Sequence, residues 1–312
     1  MTVYPEKLFQ NAAWANGEPV LSVLIPFLRD DPAGLIQSLG KAAKGQKVEI
    51  IAFDDGTNNE ALTNRVSAAL RAIPLPGRLV SSRANLGRAK GRNRLARFAR
   101  GGWLLFLDAD MAPDSPEFLK VYLDLIAAHA PAVAFGGFSL DQAPDKAEHA
   151  LHRRMALASD CASAEVRRDR PEKHVFTSNL LVRRDVFAAQ PFDESFAGWG
   201  WEDVEWAMRV ARHHWITHID NTATHLGLDD AATMLAKYEQ SAGNFARVVA
   251  DHKAVVEQYP SYRAARLLKK APLRAAWRPM LKSFALAEAA PLSTRAFAMR
   301  LYRAALYAET TP

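Results

Sequence analysis

The sequence contains a single cysteine, Cys161, so no disulfide bond can form within the chain. No apolar run approaches the roughly 20 residues that a transmembrane helix needs. Residues 1–10 carry charges and a proline where a secretory signal would have its apolar core, so we expect no signal peptide. Internal repeats and long low-complexity segments are also absent. These absences argue against a disulfide-rich scaffold, an integral membrane protein and a repeat protein. The single cysteine also fits a reducing compartment.

The sequence does contain enough apolar residues for a large core, together with an excess of positive charge. Hydrophobic residues make up 49% of the 312 positions, which suits one large domain or a domain with an appendage. The net charge of +6 and the pI near 9.4 favour acidic partners, such as phosphates, nucleic acid or an anionic membrane. No nucleic-acid-binding motif is present, so we expect no nucleic-acid partner.

An apolar run at residues 103–110, W-L-L-F-L-D-A-D, ends in two carboxylates separated by one small residue. Its length and composition predict a strand buried on both faces, which would place Asp108 and Asp110 in the ligand crevice of an open α/β sheet. Two neighbouring carboxylates repel each other unless a cation or a proton lies between them. A divalent cation whose coordination is completed by phosphate oxygens would remove that repulsion.

Three interpretations of the D-A-D triplet are open when it is taken alone. It fits solvated acids at a strand end, the nucleophile loop of haloacid-dehalogenase-like phosphatases, or the D-x-D motif of nucleotide-sugar transferases. The phosphatase loop usually lies near the start of a chain and has Thr or Val two residues on. Here the triplet lies deep in the chain and Met111, Ala112 and Pro113 follow it.

Strand and helix patterns alternate around this run, which predicts a parallel sheet with crossover helices. The second predicted strand ends in Asp54 and Asp55. Their carboxylates could accept hydrogen bonds from a nucleobase and ribose, or they could belong to an acidic turn before a helix. That second strand is 48–53, and the further strands predicted besides the run at 103–110 are 20–27, 79–82, 132–140, 175–183 and 216–219. The predicted helices are 35–43, 60–70, 88–100, 116–128 and 149–158.

Three other segments stand out from this pattern. The basic segment 83–93 leads into a predicted helix, and cations near a helix start suit an anionic ligand. Gly136 and Gly137 interrupt the predicted strand 132–140, which indicates a bulge or the close approach of another group. Residues 141–169 are polar and basic, and we expect a mobile loop around 166–173.

Glycines, tryptophans and acids alternate in G-W-G-W-E-D-V-E-W, residues 198–206. The glycines permit tight turns, the tryptophans supply flat walls, and Glu202 and Asp203 begin a helix whose dipole favours ionised carboxylates. Taken alone, these acids also suit ordinary helix capping. His225 likewise suits either a metal ligand or a loop histidine.

Taken in order, these segments resemble the family 2 glycosyltransferases, which have the GT-A fold. The resemblance runs from about residue 21 to residue 227 and is carried by L-S-V-L-I-P, F-D-D-G-T-N, N-L-G-R-A-K-G-R-N, L-F-L-D-A-D, T-S-N-L-L-V-R-R-D-V-F and G-W-G-W-E-D-V-E. It implies a mixed, mainly parallel sheet flanked by helices, with a Rossmann-like nucleotide-binding half. The catalytic domain would cover residues 1–228, and residues 229–312 would form a C-terminal helical extension.

The resemblance also implies roles for individual residues. Asp110 matches the acid that binds Mn²⁺ or Mg²⁺ at the donor diphosphate, His225 lies where some GT-A enzymes have a third metal ligand, and Asp203 matches the catalytic base. The resemblance does not show whether Asp54 or Asp55 accepts the hydrogen bond from the nucleobase of the donor. The nucleotide would be bound by Pro26, Asp54, Asp55, Lys90, Arg92, Asn93 and Asp108. The donor sugar or acceptor would be bound by Gly137, Asn179, Trp199, Gly200, Trp201 and Glu202.

The reaction that the resemblance implies is an inverting, metal-dependent transfer of a hexosyl or N-acetylhexosaminyl group. The donor would be a nucleotide-diphosphate sugar, with UDP as the family default, and the acceptor a hydroxyl of a saccharide or lipid-linked saccharide in surface or exported polysaccharide synthesis. Such a transfer needs a base at the acceptor and cations at the leaving diphosphate. Trp201 departs from the commonest family form, W-G-G-E-D, and its ring would narrow the sugar pocket or stack on the acceptor.

Residues 229–312 are alanine-rich and helical in pattern, and the part after residue 262 carries many cations and few acids. We expect Pro272, Pro279 and Pro291 to break it into short helices. Basic helices with interleaved aromatics suit either an anionic membrane surface or an ordinary helical cap with a basic outer face. The expected location is the cytoplasm, including the inner face of the plasma membrane.

Two other functions compete with glycosyl transfer. A GT-A domain that has lost turnover would be a nucleotide-sugar-binding scaffold, but the presence of Asp110 and Asp203 argues against this. A sugar-nucleotide pyrophosphorylase would carry a G-x-G-x-R-type loop after the first strand. The segment L-I-P-F-L-R-D-D lacks such a loop.

Overall fold

The computed structural model describes residues 6–270 and 274–310 and divides into two compact units. The first contains the chain up to Ala143, together with Cys161–Glu194 and Trp206–Gly227. The second contains Pro144–Asp160, Ser195–Glu205 and the chain from Leu228 onward. The expected boundary at residue 228, between a catalytic domain and a helical extension, stays a prediction. The sequence did not indicate that two earlier stretches belong with the C-terminal helices.

An eight-stranded sheet and a three-stranded sheet form the centre of the first unit. The strand order is β1-β4-β3-β2-β5-β9-β7-β10 in the large sheet and β6-β11-β8 in the small one. In the large sheet β1 and β9 run antiparallel to their neighbours, and the other pairings are parallel. The strands are β1 (Glu6–Gln10), β2 (Leu21–Phe27), β3 (Val48–Asp55), β4 (Gly77–Ser82), β5 (Trp103–Leu107), β6 (Met111–Pro113), β7 (Val133–Phe135), β8 (Phe138–Ser139), β9 (Asn179–Arg183), β10 (Ile216–His218) and β11 (Ala223–His225).

Twelve α-helices lie within the described residues, along with short 3₁₀ helices at Ala12–Asn16, Ala147–His149 and Pro171–His174. Helices α5, α9, α10, α11 and α12 belong to the second unit, which also includes the first turn of α8. The helices are α1 (Ala33–Ala42), α2 (Glu60–Ala72), α3 (Arg88–Ala96), α4 (Phe118–His129), α5 (Ala150–Leu157), α6 (Ala164–Arg167), α7 (Arg184–Ala189), α8 (Glu202–Val210), α9 (Ala231–Val256), α10 (Pro260–Lys269), α11 (Arg274–Leu286) and α12 (Leu292–Thr310).

The central strands are apolar on both faces because each face of the sheet is covered by helices. Neighbouring residues of one strand therefore enter different core clusters. Val23 packs with Ile36 of α1 in one cluster, and Leu24 packs with Leu95 of α3 in the other. The prediction of a mixed, mainly parallel sheet flanked by helices is confirmed.

No helix in the described ranges has both the length and the apolar composition to cross a membrane.

Several predicted boundaries were wrong. Strand β5 ends at Leu107, so Asp108 and Asp110 lie in the connection to β6, and α3 ends at Ala96. The expected mobile loop at 166–173 instead includes the end of α6 and most of a 3₁₀ helix, because the fully buried Arg167 ties this segment to the interior. Its guanidinium donates to the carbonyl oxygens of Ala162 and Ile219.

The C-terminal prolines have different effects. Pro291 immediately precedes α12, as expected, whereas Pro279 lies inside α11 and does not end it. A proline removes one helical hydrogen bond, and the packing of α11 against α12 retains the helix across that position. Pro272 lies outside the described residues. Strand β1 was not predicted, because its sequence E-K-L-F-Q has few strand-forming residues.

Candidate active site

Asp108 follows β5 directly and forms an ion pair with Arg92 of α3, with 2.5 Å between Nη2 and Oδ1. The Arg92 side chain is buried, and its Nη1 also donates to the carbonyl oxygen of Arg88 at 3.4 Å. Its buried Nε has no hydrogen-bond partner among the residues that the structure describes. The sequence predicted both residues at the nucleotide, and the structure brings them together.

Asp110 lies two residues further on and has a different partner. Its Oδ2 is 3.1 Å from Nε2 of His225, at the end of β11, and its carbonyl oxygen accepts from the backbone N–H of Leu226 at 2.9 Å. Burial acts to raise the pKa of Asp110, but the hydrogen bond and charge of His225, a backbone hydrogen bond and the charge of Arg88 together lower it overall. The carboxylate is therefore ionised at neutral pH. The two residues predicted as metal ligands lie side by side.

The three strands of the small sheet are joined by the side chain of Asp114, which follows β6. Asp114 accepts hydrogen bonds from Ser139 of β8 at 2.6 Å and from Thr224 of β11 at 2.7 Å. Burial would raise the pKa of Asp114, but these hydrogen bonds lower it overall. All three strands of the sheet are thus linked next to the residue that contacts Asp110.

Gly227 adjoins the Asp110–His225 pair and leaves no room for a side chain. A Cβ at this position would lie 2.1 Å from Oδ2 of Asp110. The sequence analysis missed Gly227 as a site residue, although a glycine two residues after a candidate ligand was a visible signal. It also missed Arg88, whose charge helps to lower the pKa of Asp110.

Asp54 and Asp55 end β3, and their carboxylates accept hydrogen bonds from different turns. Asp54 is buried and accepts from the Thr57 backbone N–H at 2.8 Å, so it closes the turn before α2. Asp55 accepts from the backbone N–H groups of Leu86 at 2.7 Å and Gly87 at 3.1 Å, at the start of α3. Burial raises the pKa of Asp55 to about 6 against the opposite effect of these hydrogen bonds.

The remaining residues predicted at the nucleotide differ in accessibility. Pro26 lies next to the end of β2 and Lys90 on α3, and both are partly exposed. Asn93 is buried, and its amide is used within the protein. Its Oδ1 accepts from the Phe192 backbone N–H at 3.0 Å, and its Nδ2 donates to the Phe192 carbonyl at 2.8 Å and to Glu194 at 3.2 Å.

Asn179 and Gly137 lie in the interior of the first unit. Asn179 has no exposed surface, and its Nδ2 donates to the carbonyl oxygens of Gly137 and Asn221, both at 2.9 Å. Its Oδ1 accepts from the hydroxyl of Tyr122 at 2.7 Å. The structure thus places these two predicted sugar-binding residues in a buried polar network, and their predicted role at the sugar stays untested.

The other predicted sugar residues and the predicted base belong to the second unit. Glu202 and Asp203, in the first turn of α8, are buried, and Trp199 and Gly200 are partly buried. The Trp201 indole N–H donates to the hydroxyl of Tyr307 at 2.9 Å, and its ring centroid lies 4.9 Å from that of Phe245. The Trp201 ring therefore packs on α9 and α12.

The donor set at Asp110 and His225 suits part of a metal site. A carboxylate and an imidazole fit Mn²⁺, and the carboxylate also suits Mg²⁺. Within the described ranges, no group of three or more His, Cys, Asp or Glu side chains is arranged to hold a metal ion. A cation bound jointly with a diphosphate can take one or two protein ligands, since phosphate oxygens complete its coordination.

The model of glycosyl transferase family 2 matches residues 22–189, more than half of the chain, and the chain therefore belongs to this family of glycosyltransferases. The predicted family is confirmed. No curated protein sequence matches the chain.

Two solved structures show the same fold. The mannosyltransferase of Pyrobaculum calidifontis, in complex with GDP-Man and Mn²⁺, matches with a TM-score of 0.59 at 15% identity, over 96% of this chain and 89% of that chain. Glucosyl-3-phosphoglycerate synthase of Mycobacterium tuberculosis, with Mn²⁺, UDP and glucosyl-3-phosphoglycerate, matches with a TM-score of 0.51 at 16% identity, over 77% of this chain and 81% of that chain. The chain therefore has the GT-A fold.

Proposed function

We propose that this protein is an inverting, metal-dependent glycosyltransferase that uses a nucleotide-diphosphate sugar. The observation that carries the proposal is that the two acids after β5 have different partners. Asp108 forms an ion pair with Arg92, and Asp110 lies against His225. Asp108 is held by the guanidinium of Arg92. Asp110 is ionised and lies beside His225, the second candidate metal ligand. The solved structures with Mn²⁺ and a nucleotide or nucleotide sugar support the same assignment.

In this proposal, Asp110 and His225 would hold Mn²⁺ or Mg²⁺. A bound cation would neutralise charge on the diphosphate as it leaves the sugar. Arg88 and Arg92 add positive charge on α3. These side chains would orient the diphosphate before the reaction begins.

Asp203 would act as the base. The acceptor hydroxyl loses its proton to the Asp203 carboxylate while its oxygen attacks the anomeric carbon. The bond between that carbon and the diphosphate oxygen breaks with its electron pair on the diphosphate, so the configuration at the anomeric carbon inverts. The acceptor class that we propose is a saccharide or lipid-linked saccharide, and the pathway is surface or exported polysaccharide synthesis.

The experiment that tests this function measures binding and turnover of a panel of UDP- and GDP-sugars with Mn²⁺ or Mg²⁺. We expect one donor to bind only with metal, Asp110→Ala to abolish that binding, and Asp203→Asn to retain binding while losing turnover. The Asp124→Ala variant, which removes an exposed acid of α4, serves as a control and should behave as wild type. Failure of every nucleotide and nucleotide sugar to bind would leave a scaffold protein as the better description.

We further propose that the C-terminal helices bring the protein to an anionic membrane surface, where a lipid-linked acceptor would be found. Four cations, together with Tyr262 and small residues, line a cleft of about 480 Å³ in the second unit. The cations are Lys253, Arg266, Lys269 and Lys270, and all four are exposed. Such a cluster suits the phosphates of lipid headgroups.

A further inference from the structure

Trp201 has a backbone conformation that its side chain does not favour. Its φ angle of +76° lies in the left-handed region, which bulky residues rarely adopt. Glycine occupies this conformation at no steric cost, and Gly198 and Gly200 on the same turn have φ angles of +73° and +88°. A tryptophan persists there only if its side chain makes contacts that offset the backbone strain.

Those contacts come from α9 and α12. The indole of Trp201 donates to the hydroxyl of Tyr307 at 2.9 Å, and the rings of Phe245 and Tyr307 stack with centroids 4.0 Å apart. The ring of Trp201 lies 4.9 Å from Phe245 and 6.0 Å from Tyr307. Phe245 and Tyr307 are almost completely buried. We call these three residues the Trp201 clamp.

The clamp is connected directly to the turn that carries Asp203. The carbonyl oxygen of Trp201 accepts from the backbone N–H of Glu205 at 2.9 Å, and this bond closes the first turn of α8. On the other side, Nδ2 of Asn244 donates to the carbonyl oxygens of Ala197 at 3.0 Å and Gly200 at 2.9 Å. The backbone on the N-terminal side of Asp203 is therefore held by side chains of α9 and α12.

We infer that Trp201 and Tyr307 are positioning residues for Asp203, and that the C-terminal helices thereby form part of the catalytic machinery. This inference rests on the proposed function, because it takes Asp203 as the base. The hydrogen bond between the indole and the Tyr307 hydroxyl fixes the carbonyl from which α8 begins. Its loss changes the direction in which the Asp203 carboxylate points, but it does not alter the residues that bind the nucleotide.

The test removes this hydrogen bond from either side while an aromatic ring is retained. Tyr307→Phe and Trp201→Phe should each lower kcat by roughly 10- to 100-fold, because small displacements of a catalytic group have effects of this size. The KM for the donor should stay within about twofold of wild type. Tyr302→Phe is the matched control. It lies on the same helix and loses one hydrogen bond to α9, from its hydroxyl to Glu239 at 2.5 Å, and Glu239 is not part of the clamp.

The double variant separates positioning from general destabilisation. Both substitutions delete the hydrogen bond between Trp201 and Tyr307, and Tyr307→Phe also deletes the 3.1 Å hydrogen bond between its hydroxyl and that of Ser241. The double variant should therefore lose little more kcat than Tyr307→Phe alone. Additive losses, or a kcat for Tyr307→Phe equal to that of Tyr302→Phe at equal Tm, would overturn the inference. If wild type transfers no sugar, or Asp203→Asn is fully active, the failure lies in the proposed function. If wild type is active and Asp203→Asn is inactive, a negative result with the clamp variants contradicts only the positioning inference and leaves the proposed function intact.

Discussion

At the scale of single residues, Gly227 sets the room available to the Asp110 carboxylate. We expect Gly227→Ala to weaken Mn²⁺-dependent nucleotide binding by roughly 10- to 100-fold, because the added Cβ displaces the carboxylate from His225. Titration calorimetry with Mn²⁺ and the nucleotide that wild type binds measures this loss. Gly34→Ala on α1 is the control, since nothing lies within 4 Å of its added Cβ. Unchanged metal-dependent binding in folded Gly227→Ala would contradict the assignment.

A second residue-scale feature is a buried, neutral histidine beside a buried arginine. Nδ1 of His218 accepts from Nε of Arg167 at 3.0 Å, and Nε2 lies 3.0 Å from the carbonyl oxygen of Pro171. Burial lowers the pKa of His218 to about 4, and the charge of Arg167 acts in the same direction. The Pro171 carbonyl opposes this effect but does not reverse it. Protonation would remove the acceptor of the Arg167 hydrogen bond.

The sign of the resulting pH dependence follows from the lowered pKa. Between pH 4 and 6.5 the unfolded chain binds a proton at His218 that the folded protein does not. The free energy of unfolding should therefore be highest above pH 6.5 and fall as the pH decreases toward 4. Urea unfolding at pH 7 and pH 5 measures the change. His218→Gln should reduce the dependence of the free energy of unfolding on pH. Part of that dependence should persist in the variant because the pKa of His174 is also lowered to about 4. An unaltered dependence in His218→Gln would contradict this assignment.

At the scale of elements, the glycine pair between β7 and β8 explains why one predicted strand is two. A Cβ at Gly136 would lie 2.3 Å from the Tyr122 hydroxyl and 2.5 Å from both Nδ2 of Asn179 and the carbonyl oxygen of Asn221. We expect Gly136→Ala to lower the free energy of unfolding by ~1–3 kcal/mol, as overpacking does in other cores. Chemical denaturation measures this change. In Gly102→Ala the nearest atom is 4.0 Å from the Cβ, so an equal loss there would reject the packing explanation.

Elements with regular patterns were predictable, while the partners of site residues were not. The run at 103–107 is apolar throughout because helices cover both faces of the sheet, so its burial could be read directly from composition. The different partners of Asp108 and Asp110 depend on α3, which precedes β5, and on β11, where His225 lies 115 residues after Asp110. The burial of Asn179 depends on contacts with Tyr122 and Asn221, and its own neighbours in the sequence do not indicate them.

At the scale of the whole molecule, the sequence indicated the family and the GT-A fold, but it did not indicate that residues 195–205 contact α9 and α12. Residues 195–205 read as part of the catalytic domain because the family motif is continuous. Their backbone and side chains are bound by α9 and α12 through Asn244, Tyr307 and Phe245. Helices from the end of the chain hold the proposed base, and a hydrophobic pattern alone does not reveal which distant helix packs on a given turn.

The excess of positive charge also acts at this scale, and it predicts salt-sensitive binding to anionic membranes. Each cation near an anionic surface contributes ~1 kcal/mol. Reversing Lys253, Arg266 and Lys270 to Glu should therefore lower the affinity for phosphatidylglycerol-containing vesicles by at least on the order of 100-fold at low salt. Co-sedimentation with such vesicles, and with pure phosphatidylcholine vesicles, measures the change. Moderate salt should weaken wild-type binding because it screens these charges.

A matched variant separates a localised surface from net charge alone. Lys41, Lys44 and Lys47 are exposed on the first unit, and reversing all three to Glu produces the same change in net charge. If the cations beside the cleft form the membrane surface, this second variant should retain most of the vesicle binding that the first one loses. Equal losses in both variants would show that the overall charge attracts the protein to vesicles. Absence of wild-type sedimentation at low salt would reject a membrane surface altogether and leave the basic helices as a solvated cap.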